Sequence, residues 1–407
     1  MEYEQSVTYR RVFYIPGYDP IHPRRYRELY RKEGAMQGEI SGYDIALQPK
    51  QGENYGWQVD TNIGGVDTRA DVEVLVWSDI VRGSMETDIP GTYLQLLRTS
   101  WTYIASGALR RLMWLRKGPV IAALYPIVML TLQLLLAIAV AYGLGRGLSL
   151  IWGPLAILGL AAIPAALWWF RKNDNKIFAY YLMHDYAYSA QSRGANPPEL
   201  EARMAEFGDM IAAALQDPDV DEVLVVGHSS GAHLGVSILA DLIRAGRVPD
   251  RGPDLGFLSL GQVVPMISFL PEAWRLRADL QFLSERDELA WVDVTAPGDG
   301  CAFALCDPVA VSGVATEDQQ WPLVFSAAFT QTLSPERWDQ LKRRYFRLHF
   351  QYLCAFDRPG DYDYFQITGG PITLDERFAG RSASPSRIDV AASKYTSTAP
   401  QTAQQAA

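Results

Sequence analysis

The sequence predicts an α/β protein: a doubly wound, mostly parallel sheet with helices on both faces and an apolar helical hairpin inserted into it. Three observations carry this reading. Short apolar runs alternate with helical segments along the second half of the chain, the order that builds a parallel sheet. An earlier group of short apolar or alternating runs supplies further strands. Between the two groups lie two long stretches without a charged residue.

The elements follow in order. VFYIP (12–16) ends at Gly17 and reads as a buried strand entering a loop. The charged segment 23–35 has helical character. Segments 43–48 and 55–63 alternate in polarity around a glycine-containing turn, a hairpin signal, and VEVLVW (72–77) reads as another buried strand. From Thr92 to Lys117 the chain is helical, with Leu94, Leu97, Trp101, Ile104, Ala108 and Leu112 three or four apart.

Residues 118–145 and 147–170 carry no charge, and each run exceeds the ~20 residues that cross a bilayer core. The link around Gly143, Gly145, Arg146 and Gly147 is short, so 118–170 is expected to be a transmembrane helical hairpin and the chain's contact with lipid. Arg110, Arg111, Arg116 and Lys117 precede it and Arg171, Lys172 and Lys176 follow it; the positive-inside bias puts both ends in the cytoplasm. Trp114, Trp168 and Trp169 stand where interfacial aromatics are expected. Two buried helices of a large cap domain, or a shallow re-entrant hairpin, are the alternatives. The N-terminal residues lack a basic stretch followed by an apolar run, so no cleavable signal peptide is expected and the globular part is placed on the cytosolic side.

Beyond Asn175, segments 177–194 and 199–216 read as helices separated by Pro197 and Pro198. VLVV (223–226) is a strand, 230–246 a helix, GFLSLG (256–261) a strand, 271–286 a helix and WVDV (291–294) a strand. WPLVF (321–325) adds another strand, and Pro335 opens a helix ending near Arg344. The tail from Arg381 is rich in Ser, Ala, Thr and Gln and is expected to be disordered. The chain thus divides into 1–117 and 171–380, two parts of one domain, the hairpin 118–170, and the tail 381–407.

Composition narrows function. With 407 residues, 48% hydrophobic and 20% charged, the chain is long enough for a domain plus an insertion. A net charge of −9 argues against a nucleic-acid surface. Cys301, Cys306 and Cys354, odd in number and irregular in spacing, are not a disulfide framework, and without a CxxC pair or clustered histidines no zinc site is expected. No cofactor is called for, and the oligomeric state is open.

The chemistry concentrates in DEVLVVGHSSGAHLGVSILADLI, where Gly227-His228-Ser229-Ser230-Gly231 follows an apolar strand and opens an amphipathic helix. A serine at such a turn exposes its hydroxyl above the sheet, flanking glycines permit close backbone approach, and the helix start aims N–H groups at the same point. A plain glycine-rich turn is the bland alternative. Here the chain resembles the α/β-hydrolase superfamily, in its lipase and esterase branch. The resemblance covers 12–80 and 177–380 in organisation and is sharp only around 222–240; the hairpin is not part of the common fold.

The resemblance implies a serine hydrolase acting on carboxylic esters of acyl or lipid type, with Ser229 as nucleophile and an acid and then a histidine following it in sequence. Of His22, His184, His228, His233 and His349, only His349 lies late enough to be the base. Asp307, followed by Pro308 and Val309, looks like the acid loop of lipase-like relatives; Asp299 is the alternative, and Asp293 lies inside a strand. The resemblance also implies an oxyanion hole from the backbone N–H of Ser230 and of a residue in loop 15–20, for which Tyr18 is chosen although a His-Gly pair is usual where Pro16-Gly17 stands here. His228 and His233 read as packing or supporting residues. The rival expectation is a non-catalytic, membrane-anchored scaffold that binds lipid or a partner.

Overall fold

Strand runs of this kind bury both faces only if helices cover both sides. A computed structural model describes residues 7–50, 54–85 and 88–400 and has that arrangement. Strands β1 (Tyr9–Ile15), β2 (Asp44–Pro49), β3 (Gly56–Ile63), β4 (Val66–Val74), β5 (Glu222–His228), β6 (Asp254–Leu260), β7 (Ala290–Thr295) and β8 (Leu323–Ser326) form one mixed sheet. Its order among the described residues is β2-β3-β4-β1-β5-β6-β7-β8. β2, β3 and β4 run antiparallel, and from β4 to β8 every pairing is parallel. β5 lies near the middle and is buried along its whole length. Its side chains alternate between two cores: Val223 and Val225 join one, Leu224 and Val226 the other.

The first core is closed by α9 (Pro198–Leu215), α10 (Ser230–Arg244) and α12 (Trp274–Ser284), and the second by α1 (Arg24–Ser41) and the segment after β8. Between β4 and α9 lies the insertion: α2 (Ser78–Ser84), α3 (Ile89–Ala105), α4 (Ala108–Leu115), α5 (Lys117–Ser149), a 3-10 helix (Gly153–Ala161), α6 (Ala162–Lys172), α7 (Asp174–Ile177) and α8 (Ala179–Gln191). The helix expected over 92–117 breaks at Gly107, whose φ of 76° is left-handed. α11 (Val264–Ser268) and α13 (Pro308–Val311) complete the strand-end loops.

Three expectations are corrected. The hairpin turn lies at 150–152, not around Gly143–Gly147, which is helical and inside α5. The reason is packing: a Cβ on Gly145 would lie 2.8 Å from the Ala156 carbonyl oxygen, and one on Gly159 would lie 2.5 Å from that of Ala141. The glycines let the two limbs touch, as small residues do between apolar helices. The second limb also opens as a 3-10 helix before becoming α-helical. Finally, residues 381–400 are not a free tail. Ile388 exchanges backbone hydrogen bonds with Leu305 and Asp307, Ala392 N–H donates to Val311, and Arg277 Nε donates to the Ser397 carbonyl. Backbone pairing holds a segment whose side-chain composition carries no pattern. Residues 401–407 lie outside the described part.

The two limbs of the hairpin are long and apolar enough to cross a membrane by length and composition, and only 22% and 11% of their most apolar stretches are buried. The 33-residue α5 is about 50 Å long at 1.5 Å per residue. α3 shares this outward polarity. Its buried face is Thr92, Leu96, Thr99 and Tyr103, whereas Leu97, Trp101 and Ile104 are 65%, 73% and 62% exposed.

Candidate active site

β5 ends at His228 and α10 begins at Ser230, so Ser229 makes the whole connection. Its backbone is forced to φ 56° and ψ −120°, a region an L-residue occupies only under strain. The surroundings hold it there. Ser229 N–H donates to the Leu260 carbonyl at 2.9 Å, tying the turn to the end of β6. A Cβ on Gly231 would lie 2.0 Å from the Ile15 carbonyl oxygen, and one on Gly227 would lie 2.7 Å from Ala232 Cα. Both positions therefore exclude any side chain. Gly17 brings the loop after β1 against the serine, since a Cβ there would sit 3.0 Å from Ser229 Cβ.

Ser229 opens into a cavity of about 630 Å³ that also receives His349, Tyr18, Ser230 and Asp185. His349 ends a short helix, Tyr345–His349. The Leu260–Gly261 turn adjoins both groups, because a Cβ on Gly261 would meet His349 Cε1 at 3.2 Å. His349 Nδ1 lies 2.7 Å from Asp299 Oδ2. Asp299 also accepts the Cys301 N–H at 2.8 Å and the Tyr352 O–H at 3.1 Å. Burial alone would raise the Asp299 pKa; the His349 charge and these three donors outweigh it and hold the carboxyl below its usual range. With Nδ1–H donating to a fixed carboxylate, Nε2 carries the free lone pair. No hydrogen bond joins Ser229 Oγ to the His349 ring among the described residues.

Asp307, which the resemblance implies as the acid, is elsewhere. Its Oδ1 caps α13 by accepting from Val309 and Ala310 N–H at 3.0 and 3.1 Å, and its Oδ2 accepts from Gln319 at 3.0 Å. The Asp-Pro-Val pattern is a helix start here, with aspartate as N-cap and proline in the first turn. The alternative, Asp299, is the carboxylate on His349. Asp293 lies within β7 against Ser259 Oγ at 2.6 Å, and burial pushes it up to about 8.

Tyr18 and Ser230 both face the cavity beside Ser229. The Tyr18 side chain is anchored by its hydroxyl to Ser84 Oγ at 2.7 Å, and its carbonyl accepts the Tyr181 O–H at 2.7 Å. The Ser230 N–H belongs to the first turn of α10, where N–H groups have no intrahelical acceptor.

The other histidines separate by environment. His228 Nε2 donates to the His349 carbonyl at 3.0 Å, and the two rings lie 4.9 Å apart. Burial, then the nearby His349 charge, pushes His228 down to about 3, so it is neutral where it supports His349. His233 is buried behind the turn, and its Nδ1 has no hydrogen-bond partner among the described residues. His184 bonds Gln95 Oε1 at 2.8 Å and His22 packs on Tyr55, both away from the serine.

Sequence reasoning missed three neighbours. Asp185 on α8 faces the cavity, and burial pushes it up to about 7. Tyr352 and Cys301 hold Asp299. Asp299, Cys301 and His349 bring three donor atoms within 4.8 Å of one another. Burial, then the Asp299 charge, keeps the thiol protonated, and the other two groups already bond each other, so this donor set fits a hydrogen-bonded pair better than a metal.

No family model, curated protein or solved structure matches this chain.

Proposed function

We propose that the chain is a serine hydrolase of α/β-hydrolase type, held in a membrane by the hairpin with its globular part on the cytoplasmic side, that cleaves carboxylic esters of acyl or lipid type. The observation that carries this reading is a strained serine between strand and helix in the same cavity as a histidine oriented by a buried carboxylate.

The chemistry follows from the residues. Ser229 Oγ attacks the acyl carbonyl carbon and gives its proton to His349 Nε2. Asp299 holds the ring in the required tautomer and stabilises the imidazolium. The N–H groups of Ser230 and Tyr18 receive the oxyanion, at about 3 kcal/mol per donor. The bond to the alcohol oxygen breaks, and that oxygen takes the proton from His349. Water then attacks the acyl-serine, passes its proton to His349, and releases the acid while Ser229 recovers its proton.

A non-catalytic scaffold is the second reading; the missing Ser229–His349 hydrogen bond favours it, although such bonds often tighten only with substrate present. Labelling with a fluorophosphonate separates the two. Hydrolysis predicts that wild type is labelled and Ser229→Ala is not. The scaffold predicts labelling of neither.

A further inference from the structure

We infer that the apolar cleft between α3, α4 and α5 is a lateral portal that admits the acyl chain of a bilayer lipid, so that the substrate is a long-chain acyl ester taken directly from the membrane. The inference rests on the hydrolase and hairpin readings and adds a substrate class and an entry route.

The cleft has a volume of about 100 Å³ and is walled by Tyr103, Leu112, Val120, Ala123, Leu124 and Ile127 among others. Tyr186 and Met266 line both this cleft and the cavity of Ser229, so the two spaces share a wall built in part from these two residues. The Tyr103 hydroxyl donates to the Met266 carbonyl at 3.0 Å and fixes the wall at that point. α5 borders both spaces: Pro119 in its first turn lines the serine cavity, and the next turns line the cleft.

The outer end identifies the occupant. Ile104 lines the cleft and is itself 62% exposed, so the cleft opens on the outward apolar stripe of α3, beside Leu97 and Trp101. An apolar stripe of this size, continuous with a hairpin of membrane-crossing length, is stable against hydrocarbon rather than water. The serine cavity, by contrast, carries Asp19, Arg25, Asp174, Asp185 and Arg347. Charged groups stand only at the serine end of the path and none line the cleft, which matches a molecule with a polar head and a hydrocarbon tail joined near the carbonyl.

The test uses the full chain in lipid vesicles and two fluorophosphonates, one ethyl and one dodecyl, comparing their rates of reaction with Ser229. Wild type is expected to react faster with the dodecyl probe. Ala123→Trp fills the cleft and should lower the dodecyl-to-ethyl ratio by about tenfold or more, since each methylene kept from burial is worth about fourfold. Ile127→Ala widens the outer end and should raise the ratio. If the ethyl probe reacts normally and neither variant moves the ratio, the portal is wrong while the hydrolase reading stands. If wild type reacts with neither probe, the hydrolase reading fails and the portal with it. If Ala123→Trp does not fold, the Ile127→Ala ratio decides alone: a rise supports the portal and no change overturns it.

Discussion

His349 Nδ1 lies 2.7 Å from Asp299 Oδ2, with both side chains buried and Tyr352 donating to the same carboxylate. This pair, rather than one with Asp307, fixes the tautomer of the His349 ring. Asp299→Asn should therefore lower kcat on the order of a thousandfold with little change in KM. Asp307→Ala should leave kcat within a few-fold and instead cost about 1 kcal/mol of stability through the lost cap of α13. Steady-state kinetics and thermal melts on the two variants check this.

Gly17 sets the space in front of Ser229. Gly17→Ala puts a methyl group 3.0 Å from Ser229 Cβ and 3.4 Å from its Oγ. Crowding there should lower kcat/KM by about tenfold or more while the melting temperature changes little. Equal kinetics in wild type and variant would show that this loop lies farther from the serine in solution.

Two acids with raised pKa values, the buried Asp293 and the part-buried Asp185, make stability fall as pH rises. Burial pushes Asp293 up to about 8 and Asp185 up to about 7. A folded-state pKa above the unfolded one gives stability that is full below the unfolded value, near 4, and is lost as pH climbs through the folded value. The melting temperature should decline between about pH 4 and pH 8, and Asp293→Asn should flatten the upper part of that decline. Asp299 acts oppositely: its lowered pKa gives stability that is present above the unfolded value and lost as pH falls through the folded one. Melts across this pH range, wild type against Asp293→Asn, test the sign.

The hairpin should resist alkaline extraction from membranes. A membrane-impermeant maleimide should reach Arg146→Cys only from the outer side and Lys176→Cys only from the cytoplasmic side. Gly159→Leu drives a side chain toward the Ala141 carbonyl, 2.5 Å from the Cβ position, and should destabilise the limb contact by about 2 kcal/mol. Labelling of both cysteine variants from one side would point to a re-entrant or interfacial hairpin.

Much of this was legible in the residues. β5, β6 and β7 are apolar runs because both faces of a parallel strand are covered, and the serine turn follows from its glycines. The carboxylate that meets His349 was not legible. Asp299 and Asp307 follow the same strand eight residues apart, and spacing alone does not say which one meets His349; in the fold, a turn closed by the Asp299 N–H on the Ala296 carbonyl precedes the contact with His349. The stripe on α3 was visible as a period, but periodicity cannot say whether an apolar face looks toward protein or lipid. The glycines at 143–147 look like a link in sequence, yet Gly145 serves the contact between limbs. Residues 381–400 went unread because backbone hydrogen bonds leave no trace in side-chain pattern.

The most direct measurement is fluorophosphonate labelling of wild type, Ser229→Ala, Asp299→Asn and Asp307→Ala, with the modified peptide sequenced. Modification is expected on Ser229 in wild type and Asp307→Ala, with strong slowing in Asp299→Asn and none in Ser229→Ala. Undiminished labelling of Ser229→Ala, or none of folded wild type, would contradict the hydrolase reading.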